Sequence, residues 1–129
     1  MSQRPAAIGM MVCDQVIIEE STKNVTPVNC FTRRMARQFP SDPFGFVVFA
    51  ILTDGNGDIR LDLVIRRLEN LDDNYEHSMR VHFASPLQEG RCLFRIRGLS
   101  YPDSGAYEVL LLADGEIIAQ RKIRVTEEE

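Results

Sequence analysis

The stretch Leu99-Ser100-Tyr101-Pro102-Asp103-Ser104-Gly105-Ala106-Tyr107 decides the fold. It leads into the apolar run Tyr107–Ala113, then Asp114-Gly115, then a second run, Glu116–Val125. Two apolar runs separated by Asp-Gly form a hairpin, because both turn residues tolerate positive φ. The hairpin is apolar on both faces. Leu110, Leu112 and Ile118 lie out of phase with Tyr107, Val109 and Leu111, so one face needs loop cover or a partner.

Working outward, the chain keeps a period of two. Ile59, Leu61, Leu63 and Ile65 alternate with Arg60, Asp62, Val64 and Arg66. Met79, Val81 and Phe83 alternate with Arg80 and His82, and Cys92, Phe94 and Ile96 with Leu93, Arg95 and Arg97. Such alternation predicts antiparallel strands with one face on a core. Phe46–Leu52 is continuously apolar and predicts a central strand covered on both faces. Further strands are expected at Ile8–Glu19 and Val25–Met35. Asp54–Asp58 reads as a hairpin turn between the third and fourth strands, and Leu68–His77 and Ser85–Gly90 as loops. Arg33–Pro40 is expected to make one helical turn, stopped by Pro40. Residues 126–129 read as an acidic tail. The expectation is one all-β domain over 1–129, an antiparallel two-sheet sandwich of about seven to eight strands.

The spacing Leu99-x-x-x-Asp103-x-Gly105-x-Tyr107 resembles the tyrosine corner of immunoglobulin-like sandwiches. The resemblance implies structural roles for Asp103, Gly105 and Tyr107, with the Tyr107 hydroxyl bonded to upstream backbone. Val109 stands where the immunoglobulin disulfide partner would lie. No tryptophan is present, so Phe46 or Phe49 must fill the inter-sheet position. Together with Cys13-Asp14-Gln15-Val16-Ile17, Phe39-Pro40 and Asp114-Gly115, the pattern resembles a group of small, uncharacterised bacterial β-sandwich proteins that form a domain of unknown function. That resemblance implies a single sandwich in a bacterial cytoplasm and carries no activity with it.

Composition narrows the function classes. The 129 residues carry a net charge of −4, from 15 basic and 19 acidic side chains. That balance argues against nucleic-acid binding through bulk charge and against adsorption to a membrane surface. Arginine outnumbers lysine heavily, which reads as codon or genome bias in a bacterial source. Met1–Gly9 lacks the basic and long apolar stretches of a secretory signal. The longest apolar run, Phe44–Leu52, is far short of the roughly 20 residues that cross a bilayer. Cys13, Cys30 and Cys92 are then free thiols in a reducing cytosol.

The candidate sites are few. Asp54-x-Asn56-x-Asp58 spaces oxygen ligands like a calcium loop, but Ile59 sits where glycine is needed and Ile65 where a bidentate glutamate is needed. It reads as a turn. His77 and His82 point to opposite faces of one strand, and no cysteine or histidine pair has zinc-ligand spacing. No cofactor, metal or catalytic residue is assigned. Asp14 shares the phase of Met10, Val12 and Val16, so its carboxylate needs a partner or a bulge. It is expected to pin the Arg33–Pro43 segment through Arg33, Arg34 or Arg37. Arg80, His82, Arg95 and Arg97 form a basic patch if their strands are neighbours. These residues, with Arg33, Arg34, Arg37, Phe39 and Phe44, are the candidate interaction surface, although Phe39 and Phe44 would equally plug the sandwich end. The expected function is a non-catalytic protein-binding or assembly module. The alternative is a small structural homo-oligomer joined through an edge strand or the Leu110–Leu112–Ile118 face.

Overall fold

The computed structural model describes residues 2–128. Its strands run β1 (Ala6–Ile18), β2 (Val25–Cys30), β3 (Arg33–Ala36), β4 (Phe44–Thr53), β5 (Gly57–Arg67), β6 (Asp73–Phe83), β7 (Gly90–Leu99), β8 (Gly105–Ala113) and β9 (Glu116–Glu127). They form two sheets, ordered β2-β1-β4-β7 and β3-β9-β8-β5-β6. The fold is an all-β sandwich, and every pairing is antiparallel except β3 on β9.

The alternating residues fill the space between the sheets. Ile59, Leu61, Leu63 and Ile65 of β5 are fully buried, and they face Phe46, Val48, Ala50 and Leu52 of β4 in one core. Each Ile, Leu, Val or Phe among them contributes roughly 1.5–3 kcal/mol relative to exposure. Phe46 takes the inter-sheet position, with its ring edge-on to Phe31 at 5.8 Å. Cys92 lies in the same core, and burial pushes its thiol up to about 11.

β4 is buried on both faces, and the second face has an unusual cover. Val47 and Phe49 point away from the core yet are 5% and 4% exposed. The Arg91 guanidinium donates to the Lys23 carbonyl oxygen. Met11, Val25, Pro27, Phe49, Ile51 and Arg91 line one crevice. The far half of the β1–β2 hairpin therefore folds back as a flap across the outward side of β4 and β7.

Several elements differ from the sequence reading. Asp54–Asp58 is no hairpin turn, because β4 and β5 lie in different sheets and the segment carries the chain between them. Asp54 and Gly57 supply the positive φ for this crossing, and the Asn56 backbone bridges to Gln3. The ring of Phe83 lies so close to Gly55 and Gly90 that a Cβ on either would stand 2.7–2.8 Å from it. Arg33–Ala36 is a strand rather than a helical turn, since pairing with Arg124–Glu127 outweighs local preference. The acidic tail is correspondingly shorter: Thr126 and Glu127 belong to β9, Glu128 N–H donates to the Ala36 carbonyl at 2.8 Å, and Glu129 lies outside the described residues. β6 begins at Asp73, inside the expected Leu68–His77 loop, because the ladder to β5 reaches that far.

Candidate functional site

The tyrosine corner forms as its spacing implies. Tyr107 is fully buried and its hydroxyl donates to the Asp103 carbonyl at 2.6 Å. Gly105 holds a φ of +143°, which a side chain would resist. The Asp103 carboxylate meets Arg67 at 3.0 Å. Tyr101 and Tyr107 pack edge to face at 4.8 Å. Burial pushes both phenols up, most strongly that of Tyr101.

A second polar junction lies at the base of the flap. The Asp14 carboxylate accepts from Asn29 Nδ2 on β2 and from the Arg34 guanidinium on β3. The Asn29 hydrogen bond is the largest influence holding the Asp14 carboxyl below the usual carboxylate range. Burial, next in size, opposes it, and the hydrogen bond and charge of Arg34 add to the lowering. Arg34 also stacks on the Phe31 ring at 3.8 Å. Asp14 thus ties three strands, and of the three candidate arginines it selects Arg34. Asn29 has a φ of +54°, in the left-handed region that asparagine tolerates. Its part in this junction was missed from sequence, where it stands as an ordinary strand residue.

The remaining segment divides into anchors and exposed groups. Phe39 and Phe44 are partly buried against the core, and Phe44 meets Tyr101 at 6.1 Å, so both plug the sandwich end. Arg33 and Arg37 are exposed. Arg33 reaches Thr126 at 3.3 Å and Arg37 reaches Glu128 at 3.5 Å. Met35 between them is 55% exposed. Arg33, Arg34, Met35, Phe44 and Glu128 line an open crevice.

The basic patch does not assemble. β6 and β7 belong to different sheets. Arg80 and His82 share the outer face of the five-stranded sheet with Arg60 and Asp58, their ladder partners, and His82 Nδ1 lies 2.8 Å from Asp58. Arg95 and Arg97 alternate with the core residues Phe94 and Ile96, so they face outward from the other sheet. The apolar hairpin face also changes its membership. A bulge between Leu111 and Leu112 pairs Leu112 with Ile117 and turns Ile118 toward the core. Ile117 is the outward residue, at 50% exposed, while Leu110 is buried and Leu112 half-buried. Among the described residues no helix is long and apolar enough to cross a membrane.

None of the curated proteins compared with the chain matches it. An immunoglobulin-like protein of Pseudomonas aeruginosa, known from its crystal structure, is 11% identical. The likeness covers 95% of this chain and 97% of that one, at a TM-score of 0.43. The model of a family of unknown function, DUF6941, matches residues 9–126. With that match spanning nearly the whole sandwich, the chain belongs to the DUF6941 family.

Proposed function

We propose that the protein is a non-catalytic binding module whose contact surface is the edge strand β3 and the crevice beside it. The observation that supports this is Met35. It is a large apolar side chain more than half exposed on a strand that has a ladder partner on one side only. Methionine adapts to varied contacts, and a free strand edge accepts an extended peptide. Arg33, Arg37 and Arg124 around it favour an extended partner segment carrying acidic and apolar side chains. In this reading the protein acts in the cytoplasm, and Asp14 and Tyr107 serve strand junctions rather than chemistry.

The test compares capture from the source cell's extract by the native protein and by Met35→Glu. A partner held by the first and lost by the second is expected. Identical sets of captured proteins would remove the surface from consideration.

The open outer face of the five-stranded sheet favours a second reading, a homo-oligomer. Ile117 beside Leu112 and Val64 leaves apolar surface uncovered there. Light scattering coupled to size exclusion decides it, since a monomer at high concentration ends this reading.

A further inference from the structure

Cys13 and Cys30 are separated by a whole hairpin in sequence but stand directly opposite each other in the β1–β2 ladder. The Phe31 N–H donates to the Val12 carbonyl at 3.0 Å, which makes the adjoining Cys13–Cys30 pair a non-hydrogen-bonded one. Facing Cα atoms at such positions are about 4.5 Å apart, inside the span of roughly 4.4–6.8 Å that a disulfide bridges. Cys30 Sγ lies 3.9 Å from Met11 Sδ, so it sits on the side of the ladder that Met11 shares with Cys13. The two thiols differ in access: Cys30 is exposed, whereas Cys13 is fully buried with its Sγ donating to the Val47 carbonyl oxygen at 3.7 Å.

We propose that Cys13 and Cys30 form a redox site, in which a peroxide converts the dithiol to a cross-strand disulfide that clamps the two strands together at the base of the flap. Cys30 sulfur, as thiolate, attacks one peroxide oxygen. The S–O bond forms, the O–O bond breaks, and the departing oxygen leaves as water, giving a sulfenic acid. Cys13 sulfur then attacks Cys30 sulfur. The S–S bond forms, the S–O bond breaks, and the second water carries away the Cys13 proton. Two thiols lose two electrons in total and hydrogen peroxide gains them. A dithiol reductant reverses the change by exchange. Burial raises the Cys13 thiol above its usual range and shields it from peroxide, which leaves the first attack to exposed Cys30. Cys92 takes no part, because it lies in the core between the sheets.

The hairpin supplies its own assay. Lys23 lies in the turn between β1 and β2, so trypsin separates the Cys13 and Cys30 segments there. Reduced protein is treated with hydrogen peroxide, denatured, alkylated, and digested without reductant. The expected result is a monomer with no alkyl group on Cys13 or Cys30, whose two tryptic pieces flanking Lys23 remain joined until dithiothreitol is added, the joined pair weighing about 2 Da less than the two free-thiol pieces together. The native oxidised protein should also be cut at Lys23 severalfold more slowly than the reduced one. Exposed Met35 serves as the internal gauge of peroxide dose. The proposal is overturned if Met35 becomes sulfoxide while Cys13 stays alkylatable. Cys30 ending as sulfinic acid, or in a Cys30–Cys30 dimer, overturns it equally. The native sequence alone decides the matter. Cys92→Ser, expected to give the same linkage, checks the assignment.

Discussion

The tyrosine corner and the Asp14 junction are both polar ties at strand boundaries, and they are built in opposite ways. The first is local: Tyr107 reaches back only to Asp103, and its ring is wholly buried. The second is assembled from afar: Asp14 on β1 meets Asn29 on β2 and Arg34 on β3, with the carboxylate side chain 36% exposed. A local tie forms with little loop-closure cost and leaves a spacing that can be read. A distant tie depends on strand placement, and partial exposure weakens it by solvent screening.

This contrast sets an order of expected effects. Tyr107→Ala should be the most damaging change, since it empties a fully buried aromatic site. A loss of about 3–5 kcal/mol in chemical denaturation is expected. Tyr107→Phe keeps the ring and removes only the bond to the Asp103 carbonyl, so about 1 kcal/mol should be lost. If the two variants prove equally unstable, the corner acts through its hydroxyl rather than its packing. Asp14→Asn should cost less than the alanine change at Tyr107, about 1 kcal/mol after screening is allowed for. An unchanged melting temperature would show that the junction does not stabilise the fold.

The pH dependence sharpens the same comparison. Folding lowers the Asp14 pKa, so its contribution is fully present above the unfolded carboxylate value of about 3.9 and disappears as pH falls through the lower folded value. Native protein and Asp14→Asn should therefore begin to converge in stability as pH falls below about 4 and meet only below the folded value, whereas the Tyr107→Phe deficit should persist there. The smallest effect is expected at the exposed His82–Asp58 pair: His82→Ala should shift stability by less than about 0.5 kcal/mol.

The same division separates what sequence reveals from what it hides. Alternation at Ile59–Ile65 and Cys92–Ile96 identified core faces, and Asp114-Gly115 marked the β8–β9 turn, where Asp114 and Gly115 both adopt positive φ. These features are set by neighbours within a few residues. Asp54–Asp58 carried equally good turn chemistry, but local chemistry does not say whether the next strand joins the same sheet. The basic patch failed for that reason, and the helical turn at Arg33–Pro40 failed because β9 offers a ladder there. Asp14 was identifiable as a carboxylate in need of a partner, and its pin to the Arg33–Pro43 segment was anticipated. The choice of Arg34 and the share taken by Asn29 were not. The one-residue bulge that exchanges Ile118 for Ile117 leaves no mark in the alternation, because both residues are isoleucine.

The parallel pairing of β3 with β9 has a consequence in time. β3 is followed at once by the segment that plugs the sandwich end, yet its ladder partner arrives about ninety residues further along the chain. During synthesis β1, β2 and β4 can associate early, while β3 waits with Arg33 and Met35 unpaired until Arg124–Glu127 has emerged. The completion of this edge is therefore a late event in folding, set by a long loop closure rather than by the strength of any one contact.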